Sequence, residues 1–312
     1  MNRRPLGRSE LVIEPLVLGG NVFGWTVDET NGFAILDAYA AAGFTAIDTA
    51  EGYPNWVPGN PAGMSETIIG KWLKARGNRD RMHIFTKVNS GKKPGGLKPD
   101  AIKAGIEASL KRLQTDYVDL YFSHWPDPEA SHEETLEAYD GLIRAGKVRA
   151  IGASNYSAQM MADAQQTAVV KSLQRYEVTQ PRYNLYDRAE FDALRPYLLE
   201  NEVGAIVYYS LASGFLTGKY RSQDDLGQSP RGGGVGQYLN AKGLSILGAL
   251  DQVAAELGAT PAEVALAWLV AQTRVSAPIA SASSVEQVGS LARGVRLTLS
   301  AEALDLLTDS GK

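Results

Sequence analysis

Residues 44–56 read FTAIDTAEGYPNW, a stretch that combines a buried strand with a polar end. The run from Phe44 to Ile47 is apolar or β-branched, as in a strand that is covered on both faces. It stops at Asp48, and a carboxylate in a core is costly to desolvate unless a cation meets it. Tyr53 follows shortly after. The stretch therefore predicts a core strand that brings an acid and a phenol to one end of a sheet.

The same unit, an apolar run followed by a helix-patterned segment, recurs along nearly the whole chain. Runs such as MHIF and AIVY are apolar throughout, which is typical of parallel strands between helices. Strands are predicted at 15–19, 44–48, 82–88, 117–122, 148–153, 173–179, 204–208 and 275–279. Eight strands that each precede a helix predict an α/β fold, a (β/α)8 TIM barrel forming a single domain over residues 1–312. A doubly wound sheet is the alternative.

Helix boundaries follow from capping residues. Asp28 or Thr30 is expected to cap the first helix, Gly43 and Gly146 to follow helix ends, and Thr260-Pro261 to start a late helix. The Gly-rich stretch 227–236 lies inside a strand-to-helix connection and predicts a mobile loop. Helices are predicted at 28–42, 65–75, 98–113, 133–145, 157–169, 189–201, 243–257, from 260 onward, and at the C-terminus near 284–292 and 300–309.

Composition excludes several classes of function. The 312 residues are 44% hydrophobic and 21% charged, with a formal net charge of -4, so nucleic acid and anionic membranes are not expected partners. There are no cysteines, which excludes disulfides and thiol chemistry. No apolar run is long enough to span a bilayer, and no His/Asp cluster indicates a metal site. We expect a cytoplasmic protein without a metal; its oligomeric state stays open.

In this barrel class the chemistry lies at the carboxyl ends of the strands. Asp48, Lys87 and His124 end three successive predicted strands. Because Asp48 and Lys87 end neighbouring strands at the same height, they are expected to form a buried ion pair. The later strand ends supply Ser154, Asn155, Gln180 and Tyr208.

Tyr53 suits the role of a general acid beside this pair. A phenol has a pKa of about 10, so it stays protonated yet can give its proton to a developing alkoxide. The Lys87 ammonium is expected to lower the pKa of Tyr53, and His124 to polarise the same substrate oxygen. The set matches carbonyl reduction, in which a hydride arrives at one side and a proton at the other.

Each of these residues also has an ordinary interpretation when taken alone. Asp48 could cap a helix, Lys87 could be solvated at a strand end, and His124 could be a structural hydrogen-bonding residue. A lysine at a barrel mouth could also serve a Schiff-base aldolase, although an acid paired with Lys87 would keep it protonated and non-nucleophilic. Three tryptophans could wall a substrate pocket or anchor loops: Trp25, Trp56 and Trp125.

Together these motifs resemble the aldo-keto reductase family. The tetrad Asp48, Tyr53, Lys87 in FTKV and His124 in YFSHWPDP is followed in family order by GASN at 152–155, TQPRYNLYDR at 179–188 and YYSLASGFLTGKYR at 208–221. The last segment is similar to that of potassium-channel β-subunit-like and bacterial members. The resemblance covers essentially the entire chain.

The resemblance implies a role for each motif. Tyr53 would be the general acid, tuned by Lys87 and Asp48, with His124 orienting the carbonyl. Ser154, Asn155 and Gln180 would hold the nicotinamide carboxamide, and Tyr208 would stack on the nicotinamide ring. The remaining contacts to the dinucleotide would come from the strand-one loop, the pyrophosphate loop and the adenosine segment: Gly20, Asn21, Ser210, Leu211, Ser213, Gly214, Leu216, Lys219, Ser281, Ser283 and Gln287.

Two departures from the family pattern concern specificity. The loop 54–64 is longer than in many members, which affects the shape of the substrate site. Many members carry arginine or lysine near Ser283 and asparagine near Leu291, whereas this chain reads APIASASSVEQVGSL over 277–291 without a cation. NADP(H) is therefore expected to be preferred by a modest factor, with NAD(H) usable.

A function of another class is also compatible with an intact tetrad. Potassium-channel β subunits resemble reductases, so the chain could bind a cofactor, turn over slowly and act by docking to a partner. The rate of turnover with simple aldehydes separates this alternative from an ordinary reductase of small carbonyl substrates.

Overall fold

The computed structural model describes residues 2–230 and 232–312, and it contains a closed barrel of eight parallel strands. The predicted (β/α)8 fold is confirmed, and the doubly wound alternative is excluded because the sheet closes on itself. The barrel strands are β3 (Val17–Gly19), β4 (Ala46–Asp48), β5 (His83–Val88), β6 (Val118–Ser123), β7 (Val148–Ser154), β8 (Tyr176–Gln180), β9 (Gly204–Val207) and β10 (Val275–Ala280).

Neighbouring strands pair in chain order, and β10 closes the barrel against β3. In the closing pair Ile279 lies opposite Val17. Between β3 and β4, Gly19 lies opposite Asp48. Register and order together bring the carboxyl ends of all eight strands to one mouth, where the predicted polar residues lie.

A short antiparallel hairpin precedes the barrel and was not predicted. Its strands, β1 (Arg4–Pro5) and β2 (Val12–Ile13), have two residues each, too few to leave a periodic signal. Leu6, Leu11 and Ile13 pack with the inward-facing residues of the barrel strands. The hairpin therefore covers the end of the barrel opposite the mouth.

The helices pack around the outside of the barrel, and their caps follow the sequence. The Asp28 side chain accepts from the Asn31 amide at the start of α1, Gly77 ends α2 with a left-handed conformation, and Thr260 and Pro261 start α8 as predicted. The helices are α1 (Glu29–Ala41), α2 (Met64–Arg76), α3 (Pro99–Leu113), α4 (His132–Arg144), α5 (Ala158–Lys171), α6 (Ala189–Asn201), α7 (Ala241–Leu257), α8 (Pro261–Ala271), α9 (Val285–Gly294) and α10 (Ala301–Ser310).

The Gly-rich stretch 227–236 lies at the mouth; residue 231 is outside the described residues. At Gly232 an added Cβ would lie 1.7 Å from the Leu226 carbonyl oxygen, so only glycine fits this turn. The predicted mobility of the loop stays a prediction. The loop and its flanks form three short 3₁₀ turns, at Gln223–Gln228, Gly232–Gly234 and Gly236–Tyr238.

Within the described residues, no single helix has both the length and the apolar character needed to cross a bilayer. The pair α7 and α8 reaches that length and composition only when the two are joined across a bend of 97°.

Candidate active site

A cavity of 1090 Å³ opens at the carboxyl ends of the strands. Cavities that hold a small ligand commonly measure about 300–1,000 Å³, so this one is large enough for a ligand at the upper end of that range. Its lining runs from Gly19 after the first barrel strand to Leu291 in α9. Three of the four predicted catalytic residues line the cavity: Asp48, Tyr53 and His124.

Lys87 lies beneath the cavity floor and is fully buried. Its Nζ donates to Asp48 Oδ2 at 2.7 Å and to the Thr49 carbonyl oxygen at 2.8 Å. The other Asp48 oxygen, Oδ1, accepts from Gln180 Nε2 at 2.9 Å. Burial disfavours the charge on Lys87, but Asp48 and Tyr53 outweigh that effect and hold the pKa of Lys87 above its ordinary value. Lys87 is therefore a buried ammonium.

Tyr53 lies directly above this ammonium. Lys87 Nζ is 3.4 Å from Tyr53 Oη and 4.8 Å from the centre of its ring. The sequence predicts that Lys87 lowers the pKa of Tyr53, and the ammonium does act in that direction. Burial raises the pKa of Tyr53, and the Lys87 ammonium offsets only part of the increase. The phenol is therefore protonated at neutral pH and faces the cavity as a hydrogen-bond donor.

His124 forms the adjacent wall of the cavity. Its ring centre lies 5.9 Å from that of Tyr53 in an edge-to-face arrangement, and Nδ1 is 2.9 Å from Ser90 Oγ. Burial, together with the nearby Lys87 and Lys92 ammonium groups, holds the pKa of His124 well below its ordinary value. The imidazole is therefore neutral and leaves Nε2 available to a molecule in the cavity.

The residues expected to hold a carboxamide form a connected hydrogen-bond network. Ser154 Oγ donates to the Gln180 carbonyl oxygen at 2.8 Å, and Asn155 Nδ2 donates to the His124 carbonyl oxygen at 2.9 Å and to Ser154 Oγ at 3.1 Å. Tyr208 Oη donates to Asn155 Oδ1 at 2.8 Å. All four predicted residues, Ser154, Asn155, Gln180 and Tyr208, line the cavity.

The loop after β9 has the backbone of an anion cradle. Ser213 and Gly214 have positive φ angles of 57° and 96°. A Cβ on Gly214 would lie 4.0 Å from Lys219 Nζ, so the backbone at Gly214 faces the Lys219 ammonium. A small anionic group could bind between the two. This arrangement fits the phosphates of a dinucleotide. Five predicted residues of this loop line the cavity: Ser210, Leu211, Ser213, Gly214 and Lys219.

Two predicted cofactor contacts lie outside the cavity. Leu216 is fully buried, and its amide donates to the Leu211 carbonyl oxygen, so it packs beneath the cradle. Gly20 faces α2 instead, because an added Cβ there would lie 2.9 Å from Ser65 Oγ. Neither residue lines the cavity.

The far end of the cavity lies where β10 meets α9. Ser281 Oγ donates to Asn21 Oδ1 at 2.7 Å, which joins the loops after the last and first barrel strands. The Ser283 amide donates to Gln287 Oε1 at 2.8 Å. All four of these predicted residues line the cavity. The side chains of the four residues expected near the adenosine end of a dinucleotide are therefore all neutral.

A cation does lie one turn further along α9, outside the stretch that the sequence analysis considered. Arg293 forms a salt bridge with Glu263, whose Oε1 also accepts from Ser290 Oγ at 3.1 Å. Ser290 lines the cavity, whereas Arg293 and Glu263 do not. The arginine is largely exposed and is paired with this carboxylate rather than with a residue that lines the cavity.

Aromatic side chains surround the substrate end. The rings of Trp25 and Trp56 pack edge to face with 5.7 Å between their centres, and the rings of Trp56 and Tyr53 pack in the same way at the same distance. The Trp125 ring stacks on that of His124, with 6.1 Å between the ring centres, and Lys92 Nζ lies 3.5 Å from the centre of the Trp125 ring. All three predicted tryptophans line the cavity, and their role as the wall of a substrate pocket stays a prediction.

Several cavity residues are not predicted from the sequence. Ser90 lies just beyond β5, and Arg182 and Tyr209 lie inside motifs that had been singled out for other residues. Arg182 Nε donates to Asp187 Oδ2 at 3.1 Å, and its Cζ lies 4.7 Å from the Tyr209 ring. Each of the three residues lies two positions after the end of a barrel strand, and this position could have identified it.

No group of three or more His, Cys, Asp or Glu arranged to hold a metal exists among the described residues.

Comparison with known proteins links the chain to one family. A sequence model of the Aldo/keto reductase family matches residues 15–311. The chain is 35% identical over 301 residues to Aldo-keto reductase YhdN of Bacillus subtilis, which covers 91% of this chain and 84% of that protein. It is 36% identical over 304 residues to a putative voltage-gated potassium channel subunit beta of Schizosaccharomyces pombe, with 91% and 85% covered. Norsolorinic acid reductase B of Aspergillus parasiticus is 29% identical over 319 residues, with 96% and 81% covered.

Proposed function

The chain belongs to the aldo/keto reductase family, whose members are oxidoreductases that generally use NAD(P)H, and from this premise we propose that it reduces aldehyde or ketone carbonyls to alcohols. The observation that carries the proposal is the stack of Asp48, Lys87 and Tyr53 under the cavity, with distances of 2.7 and 3.4 Å between successive polar atoms. His124 stands beside the phenol as a neutral imidazole.

Each of these side chains has a distinct task in the proposed reaction. His124 Nε2 and Tyr53 Oη donate hydrogen bonds to the substrate carbonyl oxygen, which polarises the carbonyl carbon. As the oxygen becomes an alkoxide, Tyr53 gives up its proton to it and becomes a phenolate. The Lys87 ammonium stabilises that phenolate, and Asp48 keeps Lys87 charged. A nicotinamide dinucleotide, when bound, supplies the hydride.

The cofactor is proposed to lie along the cavity from the catalytic end to α9. Ser154, Asn155 and Gln180 would hold its carboxamide, and Tyr208 would stack against the ring. The cradle at Ser213 and Gly214, with Lys219 opposite, supports binding of the pyrophosphate. Ser281, Ser283 and Gln287 would face the adenosine end, where neutral donors favour NADP(H) only modestly over NAD(H).

Replacing Tyr53 with phenylalanine tests the proposal. Tyr53→Phe should bind cofactor normally but lose carbonyl reduction by about 10²–10⁴-fold, because only proton donation is removed. The measurement is steady-state NADPH oxidation with a panel of aldehydes, ketones and quinones. Tyr117→Phe is the matched control, because Tyr117 packs between Arg79 and Arg149 far from the cavity. A Tyr53→Phe rate above about a third of the wild-type rate would mean that Tyr53 is not the acid.

A slow, partner-docking protein is the second candidate, because one similar protein is named as a potassium channel subunit beta. Rapid turnover with simple aldehydes would contradict it. The Schiff-base aldolase is disfavoured by the raised pKa of Lys87, and failure to trap an adduct with borohydride would dispose of it. A cytoplasmic location, one domain over residues 1–312 and the lack of a metal or nucleic-acid partner remain predictions.

A further inference from the structure

Ser90 occupies a position at the active site that the proposed reaction has not yet used. It lies beyond the end of β5, with its Oγ 2.9 Å from His124 Nδ1. Among the residues that the structure describes, this hydroxyl has no other hydrogen-bonding partner. Ser90 lies in the cavity wall, and its hydroxyl is the hydrogen-bonding partner of one of the two ring nitrogens of His124.

Two neighbouring residues fix Ser90 in this position. The Ser90 amide donates to Glu51 Oε1 at 3.2 Å, and Gly52 packs against the serine side chain. A Cβ on Gly52 would lie 2.7 Å from Ser90 Cβ and 3.2 Å from its Oγ, so a larger residue there would push the serine aside. The sequence Glu51-Gly52-Tyr53 thus supplies both the support for Ser90 and the proposed acid.

The position of one proton decides whether His124 can assist the reaction. A neutral imidazole carries a single N–H, and the partner of one nitrogen determines which nitrogen bears it. His124 can donate to a substrate oxygen from Nε2 only if Nδ1 is unprotonated. Nδ1 must then accept a hydrogen bond, and Ser90 Oγ is within reach to donate it.

We propose that Ser90 is a positioning residue that donates its hydroxyl proton to His124 Nδ1 and so holds His124 as the Nε2–H tautomer. The inference rests on the proposed carbonyl reduction, because that reaction needs a donor at Nε2. It assigns Glu51 and Gly52 the task of holding Ser90, and Ser90 itself does not contact the reacting atoms.

Nitrogen-15 NMR of the histidine side chains tests the tautomer without turnover. Near pH about 7 the two ring nitrogens of a neutral histidine give well-separated signals for the protonated and unprotonated forms. For His124 we expect a protonated Nε2 and an unprotonated, hydrogen-bonded Nδ1. His83 is an internal control, because Thr45 Oγ1 lies 2.9 Å from its Nδ1 at the opposite end of the barrel.

Four variants extend the test. Ser90→Ala should move the Nδ1 signal of His124 toward that of a free or tautomer-averaged nitrogen and lower kcat/KM about tenfold, the equivalent of about 1.4 kcal/mol. Ser90→Thr keeps the hydroxyl and should restore both signal and rate. Gly52→Ala should reproduce the effects of Ser90→Ala by displacing the serine. Thr45→Ala should change the spectrum of His83 and leave His124 and the rate unchanged.

The outcomes separate this inference from the proposed function. A protonated Nδ1 in the wild-type protein, or a Ser90→Ala variant with an unchanged His124 spectrum, would overturn the role of Ser90. A loss of rate in Ser90→Ala that Ser90→Thr does not restore would overturn it as well. The expected spectra in a protein with no reductase activity would support the tautomer assignment and contradict the proposed function.

Discussion

At the scale of single residues, the site depends on how Asp48 is satisfied. Each of its oxygens accepts from a different donor: Oδ2 from Lys87 and Oδ1 from Gln180. Both oxygens of this buried side chain are therefore hydrogen-bonded, and Asp48 helps to hold the pKa of Lys87 above its ordinary value. The Lys87 charge that would stabilise a Tyr53 phenolate therefore depends on Asp48, which does not itself bond to the phenol.

Replacing Lys87 with methionine should break this arrangement. The free energy of unfolding should fall by about 3–5 kcal/mol, since Asp48 would lose its cation while it remains buried. Activity should collapse as well. Adding Asp48→Asn to Lys87→Met should recover stability but not activity. Chemical denaturation followed by far-UV circular dichroism gives the unfolding free energies.

Lys71→Met serves as the control for removal of a lysine from an ion pair. Lys71 pairs with Glu29 at the surface, where both side chains are about half exposed, so its loss should shift the transition far less. If Lys87→Met were as stable as Lys71→Met, the Asp48–Lys87 pair would contribute nothing to the fold, and Asp48 would have another partner.

The sequence predicts the Asp48–Lys87 pair because the two residues end adjacent strands of one repeat. It does not predict the Asp48–Gln180 hydrogen bond, since Gln180 reaches across the barrel from a strand far along the chain. The pKa of Tyr53 shows the same limit. A neighbouring ammonium can be inferred from strand order, whereas the larger effect of burial depends on side chains from loops that differ in length and path.

At the scale of secondary-structure elements, strands are predicted more reliably than loops. The strand ends place Ser154, Gln180 and Tyr208 in the cavity, because a parallel register fixes their height. In the loop after β9, residues close together in the chain lie on opposite sides, some in the cavity and others in the core. Leu216 turns into the core and Gly214 into the cavity, a difference that depends on left-handed backbone angles at Ala212 and Ser213.

In the proposed function, the start of α9 would determine which dinucleotide is preferred. Ser283 and Gln287 present neutral groups there, and Arg293, further along the helix, is paired with Glu263. A helix N-terminus stabilises a phosphate by only about 0.3–1 kcal/mol at an exposed position, so NADPH should be favoured over NADH by a modest factor. Ser283→Arg should widen that preference, by about tenfold for each 1.4 kcal/mol gained.

Measured kcat/KM values for NADPH and NADH test this assignment. Ser283→Gln is the control, because it adds length without charge and should leave the ratio near that of the wild type. A strong preference of the wild-type protein for NADH, or an unchanged ratio in Ser283→Arg, would show that the 2′-phosphate does not lie beside Ser283.

At the scale of the whole molecule, the barrel is predictable because one simple unit repeats. Each apolar run followed by a helix has the same local preference, and a closed parallel sheet satisfies all eight at once. The hairpin of β1 and β2 is not predictable in this way, since its two-residue strands are stabilised by contacts with the barrel interior rather than by local sequence. Closure itself joins distant segments: Asn21 bonds to Ser281 at the rim, next to the pairing of β3 with β10.

A ligand that fills the cavity should therefore stabilise the closed barrel as a unit. NADPH at about 100 times its Kd should raise the free energy of unfolding by about 2.7 kcal/mol, because it binds the folded chain and not the unfolded one. Thermal melts at increasing NADPH concentration measure the effect. Tyr53→Phe should keep it, since the phenol hydroxyl serves the reaction and not binding. Gly214→Val should abolish it, since valine does not adopt a φ of 96° and would fill the cradle. A melting temperature that NADPH leaves unmoved in the wild type would place the cofactor outside this cavity, whichever of the two functions the protein performs.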